Sequence, residues 1–213
     1  MQAPGRAFRS FLPWAALLVA VLVPLAIAAQ SPLLQWRQPV YIFAGFAGVI
    51  GLGLLLIQPL LIAGQLPGIG AKKASKVHAW TGSLLLVCVI VHVGGLFITS
   101  PPDVVDALLF RSPTPFSAWG VIAMWTVFAA AVLALFRKRL ALRVATWRVI
   151  HTTLAIITVA GTALHAVLIE GTMGTVSKWV LCALVLAALG KVVWDRGAYS
   201  QMLRRLRQPA RAR

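Results

Sequence analysis

Six apolar runs, each long enough to cross a bilayer, constrain this 213-residue chain more than any other feature. They are Phe11–Ala29, Val40–Ile62, His78–Thr99, Ala118–Phe136, Trp147–Ile169 and Val176–Trp194. A helix needs about 20 mostly apolar residues to span the hydrocarbon core. In lipid every backbone N–H and C=O must find a partner within the protein, which leaves helices and closed barrels as the spanning structures. The runs are too long for barrel strands and lack period-two alternation. The expected fold is therefore all-α: a polytopic membrane protein with a six-transmembrane-helix bundle over residues 1–195 and a short basic cytoplasmic tail at 196–213. Pro24 and Pro59 interrupt two runs, which membrane helices tolerate. The loops are short and leave no room for an inserted soluble domain.

Composition agrees, with 60% hydrophobic and 11% charged residues, against roughly a quarter charged in soluble domains. A soluble enzyme, a disordered tail and a conventional nucleic-acid binder are excluded. The formal charge of +16 reads as topology and contact with membrane lipid, with no nucleic-acid partner, because cytoplasmic loops concentrate Lys and Arg. Of the 20 basic residues, only Arg37, Arg111 and Lys178 fall on one side. Arg6, Arg9, Lys72, Lys73, Lys76, Arg137, Lys138, Arg139, Arg143, Arg148, Lys191 and the Arg-rich tail fall on the other. Both termini are thus expected in the cytoplasm, with Asp103, Asp106 and Glu170 outside. The first segment also resembles a secretory signal ending at Ala26-Ile27-Ala28; its length favours a retained helix. Cys88 and Cys182 lie inside apolar runs and have no metal-type spacing.

Four histidines stand out against this background. His78 and His92 belong to the third run, His151 and His165 to the fifth, and both pairs are separated by fourteen residues. Fourteen helical steps return to within roughly 40° of the same face and rise about 21 Å. The third and fifth spans run parallel, so His78 is level with His151 and His92 with His165. Two cross-helix pairs at two depths suit two hemes, each held by two axial imidazoles. The bland reading is four separate side chains satisfied by helix-to-helix hydrogen bonds. Four of four in equal spacing argue against it, since ionisable groups inside a membrane are functional by default.

Weaker signals surround these residues. Gly82, Gly94, Gly95 and Gly161 lie near the histidines and suit either close approach of a flat macrocycle or ordinary helix packing. Lys76, Arg143 and Arg148 on one side, and Arg111 or Lys178 on the other, are candidate propionate partners; positive-inside bias and snorkelling explain them as well. Trp80, Trp119, Trp147 and Trp179 read as interfacial anchors. Gly45, Gly48, Gly51 and Gly53 read as a packing face of the second helix.

These features resemble the ferric reductase-like transmembrane domain, shared by ferric reductases, NADPH oxidases and smaller bacterial membrane proteins. Trp147-Arg148-Val149-Ile150-His151 with His165 looks like its fifth-helix motif, and Lys76-Val77-His78 through His92 like its third. The resemblance implies two b-type hemes, a bacterial inner (plasma) membrane location and electron flow outward from the cytoplasm. It departs in one respect: no dinucleotide fingerprint follows the sixth span. The expectation is an oxidoreductase component without its own NADPH/FAD domain. Its donor would be a cytoplasmic flavoprotein reductase or quinol. Its extracytoplasmic acceptor would be ferric iron, oxygen or a redox enzyme; in the last case the chain would be the heme-binding membrane partner of a periplasmic reductase. A transporter using the histidines as a proton or metal relay is the competing class. The absence of acidic residues from the middle of the spans counts against it.

Overall fold

The computed structural model describes residues 4–196, with side chains from Phe11 to Asp195. The tail expected beyond Arg196 lies outside the described residues. Among them are seven helices and no strands: α1 (Pro4–Ala29), α2 (Pro39–Ala63), α3 (Ala71–Thr99), α4 (Pro101–Leu108), α5 (Pro115–Leu135), α6 (Val144–Leu168) and α7 (Thr175–Arg196). A 3-10 turn at Pro32–Leu34 links the first two. Six of the seven are long and apolar enough to cross a membrane, and each expected span falls on one of them.

Two features depart from the sequence reading. The stretch after Ser100, expected as a loop, forms α4, with Pro at its first positions, where the missing N–H has no intrahelical use. α3 starts seven residues earlier than expected, at Ala71. Lys72, Lys73 and Lys76 are good helix formers and stand exposed on its first turns. Their charge hides the helix from a hydropathy reading. His78 therefore lies about 10 Å inside α3 rather than at its end.

The helices pack as two hairpins. α2 lies along α3 and α5 along α6, each at close range, while α7 touches both α2 and α6. α1 packs on α2 and α7, with Val21 against Gly53 and Trp14 Nε1 donating to the Pro67 carbonyl at 3.1 Å. The hairpin seams are set by small residues. A Cβ at Gly95 on α3 would stand 2.8 Å from Ala44 Cβ on α2, and one at Gly161 on α6 would stand 3.0 Å from the Trp119 carbonyl on α5. Thr126 and Thr158 share a hydrogen bond of 2.9 Å across the second seam. α3 and α6, which carry the histidines, are not substantially packed backbone to backbone.

Gly94 and Gly95 are adjacent but unequal, since a Cβ at Gly94 meets nothing within 4 Å. Gly95→Ala is expected to cost about 1–3 kcal/mol through overpacking of the α2–α3 seam. Gly94→Ala should be neutral, or stabilising by up to about 1 kcal/mol. Thermal unfolding of the purified variants in detergent checks the contrast.

Candidate functional site

The two histidine pairs meet across the gap between α3 and α6. The ring centroids of His78 and His151 are 6.2 Å apart, and those of His92 and His165 are 6.4 Å apart. A ligating imidazole nitrogen stands about 2.0–2.1 Å from its metal, with the ring centroid about 1.1 Å beyond it. Two imidazoles on opposite sides of one ion therefore have centroids about 6.2–6.4 Å apart. Both pairs have that separation. The first lies towards the end of the bundle that carries Lys72–Lys76 and Arg137–Arg148, the basic end; the second lies towards the α4 end.

The α4-end pair is held by the same device in each hairpin. His92 Nδ1 bonds the Ala44 carbonyl of α2 at 2.7 Å, and His165 Nδ1 bonds the Phe116 carbonyl of α5 at 2.9 Å. A carbonyl only accepts, so Nδ1 carries the hydrogen and Nε2 keeps its lone pair for a ligand. Each ring lies against a glycine four residues beyond the accepting carbonyl. A Cβ would come 3.0 Å from His92 Nδ1 at Gly48 and 2.7 Å from His165 Nδ1 at Gly120. Phe116 also meets the His165 ring edge-on, with centroids 5.7 Å apart.

The basic-end pair is held less evenly. His78 Nδ1 donates to the Gln58 carbonyl at 3.3 Å. The Gln58 side chain is fixed in turn, its Nε2 donating to Thr81 Oγ1 at 2.7 Å and to the His78 carbonyl at 3.3 Å. His151 Nδ1 is buried without a hydrogen-bond partner, as is Trp147 Nε1 one turn earlier. The two rings are stacked, 5.0 Å between centroids and 8° from parallel. The Arg137 guanidinium covers the indole at 4.2 Å.

The weaker candidates of the sequence find other places. Gly95 and Gly161 serve the hairpin seams, Gly94 faces open space, and Gly82 meets the Gln58 amide at ordinary contact distance. Among the second-helix glycines, Gly48 supports a histidine as well as packing. Lys178 is buried, and its Nζ donates to the carbonyls of Val167 at 3.1 Å and Ile169 at 2.7 Å. It thus caps the C-terminus of α6, where a cation complements the helix dipole. Lys76, Arg111, Arg143 and Arg148 are exposed. Trp80, Trp119 and Trp179 are exposed, whereas Trp147 turns inward to His151. The sequence reading missed Ala44, Gln58, Phe116, Gly120 and the Arg137–Trp147 stack. One signal was available: Gly48 and Gly120 precede His92 and His165 by 44 and 45 residues.

Fold and site together define an integral membrane protein with paired histidines inside a six-span helical bundle. The chain belongs to the ferric reductase like transmembrane component family, which matches residues 44–162. The match takes in His78, His92 and His151 and ends three residues before His165. Members of this family generally bind heme and have a transmembrane electron-transfer role. Neither a curated protein nor a solved structure matches the chain.

Lys178 is open to a direct test. Lys178→Met leaves two carbonyls unpaired at the end of the helix that carries His165, and is expected to cost about 1–3 kcal/mol. Lys178→Arg, which keeps the donor and the charge, should recover most of it. Thermal melts of the three proteins check this.

Proposed function

We propose that the chain is a di-heme b-type transmembrane electron-transfer subunit, with one heme held by His78 and His151 and the other by His92 and His165. The observation that carries this reading is the pairing itself: two imidazole pairs at two depths, 6.2 and 6.4 Å between centroids. Each pair offers two protein ligands, and among the described residues no three His, Cys, Asp or Glu side chains gather to hold a bare metal ion. A macrocycle that brings its own equatorial nitrogens suits such a pair better.

When bound, heme iron supplies reversible one-electron chemistry. The protein's own groups hold and orient the ligands. Backbone carbonyls of Ala44, Phe116 and Gln58 fix three imidazoles as Nδ1–H tautomers, which presents Nε2 as the ligating atom. Gly48 and Gly120 let the rings approach those carbonyls. α3 and α6 are not substantially packed on one another, so a group held between the paired rings would meet the two hairpins without displacing a helix seam.

We place the basic end in the cytoplasm of a bacterial cell, with the chain in the inner membrane, on the Lys and Arg asymmetry. Lys72, Lys73, Lys76, Arg137, Lys138 and Arg139 are exposed there and would steer an acidic flavoprotein donor towards the His78–His151 pair. Quinol is the alternative donor. The acceptor, whether ferric iron, oxygen or a redox enzyme, would meet the chain at the α4 end.

Purified protein should contain two hemes b per chain in a pyridine hemochrome assay. His78→Ala and His151→Ala should disturb one heme, and His92→Ala and His165→Ala the other. Gly120→Ala should disturb only the second, because its methyl displaces the His165 ring. Absence of heme, or heme retained in full after replacement of all four histidines, would end the reading. The orientation is tested separately: an impermeant thiol reagent should label a cysteine introduced beside Asp103 and miss one beside Lys138.

A further inference from the structure

His151 is held differently from the other three histidines. Those three give Nδ1–H to a backbone carbonyl of the neighbouring helix. His151 Nδ1 has no partner, and the atom is sealed from solvent. Its ring is kept in place by stacking on Trp147, which lies under the Arg137 guanidinium. Stacking fixes the plane of a ring but does not polarise its N–H. A hydrogen-bonded Nδ1–H makes Nε2 a more basic ligand, and loss of such a partner typically lowers metal affinity about 10–100-fold. Detaching His92 or His165 from a metal would also strain or break a hydrogen bond of 2.7 or 2.9 Å. His151 has no such bond to lose.

We infer that His151 is the exchangeable ligand of the four, so that the heme it shares with His78 is a binding site for a small neutral ligand and the His92–His165 heme is not. The inference rests on the di-heme reading above. In such an exchange His151 would give up the iron and leave as neutral imidazole, the incoming ligand would replace it, and no proton or electron would be transferred.

Carbon monoxide is the probe, titrated into the dithionite-reduced full-length protein and followed by optical spectroscopy. His151→Ala and His165→Ala supply reference spectra for carbon monoxide on each heme. One of the two hemes should bind it, with the His151→Ala spectrum and an affinity at least about 10-fold above the other. Trp147→Leu should raise that affinity several-fold, while Trp147→Phe, which keeps a stacking ring, should match the native protein. If Trp147→Leu does not fold, the native titration decides alone. Binding by neither heme, or by the heme with the His165→Ala spectrum, overturns the inference and leaves the di-heme reading standing. A preparation without heme would instead remove the di-heme reading.

Discussion

The hydrogen bond from a histidine ring to a carbonyl of the neighbouring helix is the interaction around which this bundle is arranged. An imidazole in an apolar interior is costly unless both ring nitrogens are used. Helix carbonyls are the available acceptors, and although each already takes the N–H four residues on, its oxygen has a second lone pair. Reaching that lone pair requires the ring to come close to the backbone near residue i+4. Gly48 follows Ala44 and Gly120 follows Phe116 at that interval, and there the bonds measure 2.7 and 2.9 Å. Four residues after Gln58 stands Ile62, and the bond to Gln58 is 3.3 Å. One local rule thus accounts for the tight grip on the α4-end pair and the looser grip on His78.

The same rule explains which parts of the molecule were legible in the sequence. Spans are readable because lipid demands a continuous apolar run, and the fourteen-residue histidine spacing is readable because helical geometry is rigid over that distance. Contacts between helices follow no short-range period. Nothing near Gly120 in the sequence says that His165 will rest on it, since the partners lie 45 residues apart. The start of α3 was hidden for another reason: Lys72, Lys73 and Lys76 are poor lipid residues but good helix residues, and hydropathy reports only the first property. α4 was hidden by its two prolines, which favour a helix start yet read as a breaker in isolation.

Lys178 shows how a plausible electrostatic assignment changes once the chain is folded. As a lone cation beyond the fifth span it suited a propionate partner. In the fold its ammonium is committed to the carbonyls of Val167 and Ile169. The Ile169 N–H in turn donates to the His165 carbonyl at 3.2 Å. Cys182, one turn further along α7, points its thiol at the Ala163 carbonyl at 4.0 Å. α7 therefore grips α6 on either side of His165. At the corresponding end of α3 the Thr99 hydroxyl donates to the Gly95 and Leu96 carbonyls and the Ser100 N–H to that of Leu96.

How the hairpins join matters as much as how each is built. Within a hairpin the seam is closed by Gly95 against Ala44 or by Gly161 against Ala123 and the Trp119 carbonyl, and such small-residue contacts fix the two helices as a unit. Between hairpins the connection runs mainly through α7, with a lesser contact of α3 with α5. The histidine helices α3 and α6 thus face each other without a substantial seam of their own, and the imidazole pairs meet across that gap. A bundle closed by direct α3–α6 packing would have buried these rings against side chains and fixed their separation by ridge-and-groove geometry. Here the separation of the paired rings, 6.2 and 6.4 Å between centroids, is set by hairpins anchored elsewhere.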